Sequence, residues 1–282
     1  MRLLLKDGYL NTSGTAIVGI VNVTPDSFYS HSRSVVTAEA VEKTVQMLGQ
    51  GAVFVDIGGE STRPGASEVS PEEEISRVIP VIRSIKLRNK SSLISIDTRN
   101  PETAEAAFRS GADILNDVTG LRSEEMIDVA SKWEVPVILM HMKGTPQNMQ
   151  DNPTYDNVVE DILRFFETTV SRAVKCGINE ERMILDPGIG FGKTHEHNLE
   201  ILANVHRFKQ LGLPVMIGHS RKSVIGKILD TPVNDRLDGT LAITAYCTTQ
   251  GVDLVRVHDV VENVNVVKML KEIAKYQLPE QV

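Results

Sequence analysis

Eight short apolar runs, each closing on polar residues and each followed by a helix-patterned stretch, limit what this chain of 282 residues can fold into. The second run shows the design best. Residues 53–57 (Val-Phe-Val-Asp-Ile) are β-branched or aromatic apart from Asp56. They open into Gly58-Gly59, a backbone able to take positive φ or to approach a ligand closely. Four polar side chains, Glu60, Ser61, Thr62 and Arg63, then precede a Pro64-Gly65 turn. An apolar strand that ends in an acid and enters such a loop can present chemistry at its C-terminal end. An ordinary capped turn reads the same way in isolation, and repetition decides between the two.

The other runs cover residues 16–21 ending at Asn22, 93–96 ending at Asp97, and 113–115 ending at Asn116-Asp117. They continue with 135–140 ending at His141, 183–185 ending at Asp186, 214–217 opening into Gly218-His-Ser-Arg-Lys-Ser223, and 253–255 leading into Arg256-Val-His258. Apolar spacing predicts helices over 37–48, from a Ser70 cap through Ile82, and over 101–109, 123–133, 157–176, 198–208, 236–248 and 260–276. Ser70, Pro71 and the acids Glu72 to Glu74 form a strong helix start. Strands apolar on both faces belong in a parallel sheet covered by helices. No linker or low-complexity tract divides the chain. The expectation is therefore an α/β protein, a single (β/α)8 TIM barrel after a short N-terminal lead, with 1–282 as one domain and a core over about 16–276. A doubly wound open sheet is the alternative, since a sequence does not reveal strand closure.

A net charge of −7 argues against a general nucleic-acid or membrane-surface binder, which needs a positive field, but leaves room for a small anionic ligand. The first eight residues turn polar too quickly for a signal peptide, and no apolar run approaches membrane-spanning length. Cys176 and Cys247 lie far apart in helical patterns and read as buried thiols of a cytoplasmic protein.

A barrel brings its strand ends to one face, so Asn22, Asp56, Asp97, Asn116, His141, Asp186, residues 218–222 and residues 256–258 would converge. Acids and cations at one rim exceed what stability requires. Asp97, Asn116 and Asp186 suit a planar heterocycle bearing an amino group and a ring N–H, because a carboxylate accepts two parallel N–H bonds. Asp117 reads as a turn residue. Arg63, Arg221, Lys222, Arg256 and His258 supply positive charge, most of it in the last two loops, where barrels bind phosphate. A polar heterocycle beside a phosphorylated group is as far as the residues alone lead.

Several stretches resemble the dihydropteroate synthase family of pterin-binding enzymes. They are Gly19-Ile-Val-Asn-Val-Thr-Pro-Asp-Ser-Phe28, Asp56-Ile-Gly-Gly-Glu-Ser-Thr-Arg-Pro-Gly65, Ile96-Asp-Thr98, Leu115-Asn-Asp117, Leu139-Met-His-Met142, Leu185-Asp-Pro-Gly-Ile-Gly-Phe-Gly-Lys193, Ser220-Arg-Lys-Ser223 and Arg256-Val-His-Asp-Val260. The resemblance implies a transferase of folate biosynthesis. It would join 6-hydroxymethyl-7,8-dihydropterin pyrophosphate to p-aminobenzoate, with sulfonamides as competitors, Mg2+ as cofactor and a homodimeric assembly. It implies that Asp97, Asn116, Asp186 and Lys222 bond the pterin while Met140, Phe191 and Gly218 line its slot. Arg256 would stack on the ring and hold pyrophosphate with Asn22, Thr62, Val257 and His258, Asn22 also serving Mg2+. Thr62, Arg63, Pro64, Phe191, Lys222 and Ser223 would surround p-aminobenzoate, and Asp97, Lys222 and Arg256 would be the catalytic set.

One departure concerns the first loop, where the family's Ser-Asp-Gly-Gly is replaced by Tyr29-Ser30-His31-Ser32. Ser30 thus stands where the resemblance implies an Asp that helps order metal and pyrophosphate, so Mg2+ dependence is open at this point. His195 and His197 read as surface or cap residues. Two rival readings are a methyltetrahydrofolate–corrinoid methyltransferase barrel, which has no use for a pyrophosphate site, and a pterin-binding paralogue without activity.

Overall fold

The computed structural model describes residues 1–24, 33–61 and 68–276. Thr62, Arg63 and Pro64, and the Ser30 and His31 of the first-loop departure, lie outside the described residues.

The N-terminal lead is not featureless: β1 (Arg2–Leu5) and β2 (Gly8–Asn11) form an antiparallel hairpin. Asp7-Gly8, where the Lys6-Asp7 turn meets β2, and the Leu3/Leu5 alternation signalled it. Eight parallel strands follow: β3 (Ala16–Asn22), β4 (Ala52–Gly58), β5 (Ile94–Asp97), β6 (Ile114–Asp117), β7 (Val137–Met140), β8 (Met183–Asp186), β9 (Met216–Ile217) and β10 (Leu254–Val257). Their order is β8-β7-β6-β5-β4-β3-β10-β9. The remaining gap is bridged by a parallel Leu185–Val215 contact, with Leu185 N donating to Pro214 O at 2.8 Å. This is the (β/α)8 barrel, not the open sheet.

The helices are α1 (Arg33–Gly49), α2 (Pro71–Arg88), α3 (Pro101–Arg109), α4 (Glu124–Trp133), α5 (Val158–Lys175), α6 (His195–Ala203), α7 (Val205–Lys209), α8 (Ser223–Leu229), α9 (Leu237–Thr249) and α10 (Val260–Ala274). Ser70, Ser123 and Asn157 accept from the third residue of α2, α4 and α5 respectively, Ser70 as expected. Two expectations fail. The stretch 198–208 starts earlier, at His195, and breaks at Asn204 into α6 and α7. The short helix α8 after β9 was not foreseen.

Strand residues divide by parity. Val55, Ile57, Ile96, Leu115, Leu139, Leu185, Val255 and Val257 pack outward into the helix layer. Ala16, Val18, Phe54, Ile114, Ile138, Ile184, Met216 and Leu254 fill the barrel interior together with Leu3, so the hairpin serves as its plug. Cys247 is buried, but Cys176 is exposed, contrary to expectation, because it caps the end of α5 instead of facing the core. No helix among the described residues is long and apolar enough to cross a membrane.

Candidate functional site

The site is the next inward layer. Two residues beyond Phe54, Ile114, Ile138, Ile184, Met216 and Leu254 come Asp56, Asn116, Met140, Asp186, Gly218 and Arg256. Period-two alternation therefore stacks a polar floor directly above an apolar one. Sheet register adds the rim: Asn22 stands opposite Gly58, Gly58 opposite Asp97, and Asp97 opposite Asn116.

Arg256 is the hub. Its Nε donates to Asp56 Oδ2 at 2.5 Å, and its Nη2 donates to Asp97 Oδ2 at 2.6 Å. Asn116 Nδ2 donates to the same Asp56 oxygen at 2.8 Å. Asp56 thus orients both Asn116 and Arg256. Sequence reasoning put Asp56 in the ring but left it out of the site set; the signal was a lone acid inside an apolar strand. Asn116 Oδ1 and Asp56 Oδ1 are buried without a hydrogen-bond partner, and such acceptors need a donor from elsewhere.

On the opposite wall Asp186 Oδ1 accepts from Gly188 N at 2.8 Å. A Cβ built on Gly218 would lie 3.7 Å from Asp186 Oδ2 and 3.9 Å from both Lys222 Nζ and Arg256 Cβ. Gly218 therefore keeps open a space that three polar side chains border. Lys222 donates to Ile189 O, and its Nζ lies 4.6 Å from the Phe191 ring centroid, a cation–π contact. Met140 packs with Val118, Met142, Met149 and Phe191 as an apolar wall.

Burial raises the Asp97 carboxyl to about 7, Arg256 pulling it down and Asp56 pushing it up. Burial likewise raises Asp186, opposed by Lys222, and lowers Lys222 to about 8, opposed by Asp186. Arg256 stays charged: burial works against it, but Asp56 and Asp97 hold it above its usual range. Three carboxylates facing two cations favour a ligand that gains positive charge.

The other expected residues scatter. His258 joins the rim, its Nδ1 3.0 Å from Ser220 Oγ, and burial followed by Arg256 lowers its pKa to about 3. Arg221 is committed to a two-point ion pair with Asp259 at 2.7 and 3.0 Å, so it is no free phosphate ligand. The Val257 side chain faces the helices, leaving only its backbone for the rim. Ser223 begins α8 and is exposed. Asp117 caps its own turn through Thr119 and Leu121, as expected. His197 belongs to the capping box of α6, also as expected. His141 is turned away into a buried contact with Lys193.

The bordered space at Gly218 yields a direct prediction. A Gly218→Val side chain would fill it, and binding of a flat ligand is expected to weaken about 10-fold or more while the unfolding midpoint changes little. Calorimetric titration with a pterin, paired with thermal unfolding, measures both; unchanged affinity would place the slot elsewhere.

The sequence profile of the pterin binding enzymes matches residues 18–258. The chain is similar to the dihydropteroate synthase of Escherichia coli strain K12, 41% identical over 271 residues that span 96% of each chain. It is also similar to that of Clostridium beijerinckii, 44% identical over 263 residues, 93% of this chain and 95% of the other. Its fold matches the crystal structure of Yersinia pestis dihydropteroate synthase with a sulfonamide drug complex, at TM-score 0.92 and 38% identity, covering 98% of this chain and 100% of that one. The Xanthomonas albilineans dihydropteroate synthase solved with 4-aminobenzoic acid matches at TM-score 0.90 and 38% identity, over 99% of both chains. Barrel, polar floor and near-full-length similarity agree: the chain belongs to the pterin-binding enzyme family, among its dihydropteroate synthases.

Proposed function

We propose that the chain condenses 6-hydroxymethyl-7,8-dihydropterin pyrophosphate with p-aminobenzoate, giving 7,8-dihydropteroate and pyrophosphate. The observation that carries this reading is the unpartnered Asn116 Oδ1 beside the Asp56–Arg256–Asp97 chain, with Asp186 across from it. A pterin edge brings an amino group and ring N–H donors, which Asn116 and Asp186 accept, while Lys222 donates to a ring acceptor. Met140 and Phe191 flank the ring, and Arg256 stacks on it. Asn22, Thr62, His258 and the Val257 backbone serve pyrophosphate. Thr62, Arg63, Pro64, Phe191, Lys222 and Ser223 serve p-aminobenzoate, and sulfonamides compete for that place.

The path is SN1-like. The bond from the pterin methylene to pyrophosphate oxygen breaks first, and its electron pair leaves with pyrophosphate. The arylamine lone pair then forms the new C–N bond, and its surplus proton departs to solvent. The methylene cation gains from the ionised Asp97, and the departing anion gains from the charge of Arg256 and from a hydrogen bond donated by the neutral His258. The neutral amine needs positioning more than a base. Among the described residues no three His, Cys, Asp or Glu side chains form a metal cluster. A single rim amide at Asn22 fits Mg2+ that arrives largely hydrated on a diphosphate. When bound, the ion neutralises charge on the leaving group. The same reading takes residues 1–282 as one domain, working in the cytoplasm as a homodimer whose contact uses the late helices.

The test is pyrophosphate release from the purified chain. Sustained release is expected only when both substrates are present, and it should fall about 10-fold or more without Mg2+. Tight pterin binding with no release would leave only the silent pterin binder.

A further inference from the structure

The segment from Pro187 to Lys193 has no regular structure of its own, yet it carries Phe191. Gly188, Gly190 and Gly192 all have positive φ, at 71°, 86° and 62°. A Cβ at Gly188 would lie 2.1 Å from His141 O, and one at Gly192 would lie 2.3 Å from Lys143 O. The loop is thus pressed against the chain leaving β7. Four consecutive carbonyls are each capped by a side-chain donor: Ile189 by Lys222, Gly190 by Gln150 at 2.6 Å, Phe191 by Lys193 at 2.9 Å, and Gly192 by Tyr155 at 2.8 Å.

Lys193 differs from the other three donors. It is only 2% exposed and has no carboxylate bonded to it among the described residues. Its Nζ meets three groups: Phe191 O, His141 O at 3.2 Å and His141 Nδ1 at 3.0 Å. His141 is 7% exposed, its ring set edge-on to Phe165 at 5.0 Å. Burial, then Lys193 and Arg122, lower its pKa to about 2, so the ring is neutral; burial also lowers Lys193 well below its usual range, against the pull of Asp186, and the Nζ–Nδ1 contact needs only one of the two groups to donate. A buried lysine is costly unless its hydrogen bonds are met, and a hydrocarbon would fill the same space at less cost. The group therefore serves a purpose other than packing.

We propose that Lys193 and His141 are positioning residues that latch the Phe191 carbonyl to the end of β7, fixing the aromatic wall shared by the pterin and p-aminobenzoate subsites. The latch acts through Phe191, which it holds against Lys222 and Met140. Its consequence for turnover rests on the function proposed above; the latch itself does not.

Two experiments test it. In a double-mutant cycle, Lys193→Met alone is expected to lower kcat/KM for p-aminobenzoate about 10-fold or more, because a small misplacement of a positioning group is costly. Added to Phe191→Ala, it should cost no more than about 2-fold, since the wall it holds is already gone. Effects that multiply, or a Lys193→Met enzyme matching the parent, overturn the proposal. His141→Leu removes the other end of the latch and carries the same cycle if Lys193→Met fails to fold. The second experiment needs no variant and no substrate: 15N spectra of histidine-labelled parent protein should show His141 neutral from pH 5 to pH 8. Titration near pH 6.5 would break the latch. A parent enzyme that releases no pyrophosphate would instead count against the function and leave this readout intact.

Discussion

Replacing Arg256 with methionine is expected to destabilise the protein by about 3–5 kcal/mol at pH 8, the usual cost of orphaning buried partners. The loss is not simply that of one ion pair. Arg256 is shared by Asp56, which is fully buried, and Asp97, which is nearly so; without it two carboxylates face one another with no bonded counter-ion among the described residues. The Asp97 carboxyl, already raised by burial, then loses the charge that pulls it down and rises further, so the native variant holds a proton that the unfolded chain releases. A group of that kind stabilises below its unfolded pKa and loses the contribution as pH climbs through the folded value. The deficit relative to the parent should accordingly shrink as pH falls from 8 to 5.5. Urea unfolding at the two pH values measures it. A second change, Asp56→Asn, should recover part of the deficit at pH 8, because it removes one of the repelling charges. Equal deficits at both pH values would show that the carboxylates are not coupled through Arg256. Activity should fall about 10²–10³-fold in the same variant, the scale of a lost donor to developing negative charge.

Why the chain revealed so much, and then stopped, follows from particular residues. The barrel was legible because strands buried on both faces are mostly apolar, and most of the interruptions fell at strand ends. Asp97, Asn116 and Asp186 could be placed at the rim for that reason. Asp56 was harder. It lies inside its strand, one residue before the last apolar position, and only the pairing of strands puts it under Arg256. Arg221 misled in the opposite direction, since its charge looked available until the fold brought Asp259 beside it. Lys193 and His141 are 52 residues apart, and no local pattern links them. The hairpin plug was a different omission: Asp7-Gly8, where the turn meets β2, was there to be read, but the lead itself does not show what it covers. Its partner surface is the barrel floor, which exists only after closure. Local chemistry is thus readable along the strand, while relations across the barrel require the register.

Asp97→Asn separates the catalytic use of the polar floor from its structural cost. The substitution preserves shape and an oxygen for Arg256, and Asp56 still anchors the guanidinium. What it removes is a negative charge beside the methylene that becomes cationic as pyrophosphate leaves. We expect kcat to fall about 10²-fold, with affinity for the pterin pyrophosphate reduced much less, because the charge matters most in the transition state. Stability should move the other way. In the parent the Asp97 carboxyl is raised to about 7, mainly by burial, so its ionisation in the folded protein is unfavourable. Its contribution to stability is complete below the unfolded value of about 4 and is lost as pH rises through about 7. The asparagine variant never loses it, so its thermal midpoint relative to the parent should climb between pH 5 and pH 8. Slower turnover combined with a more stable fold at pH 8 is the signature of a charge kept for chemistry at the expense of stability. If kcat were unchanged, Asp97 would have no electrostatic part in the reaction; if the variant were slower and also less stable at pH 8, the carboxylate would be holding the barrel floor together.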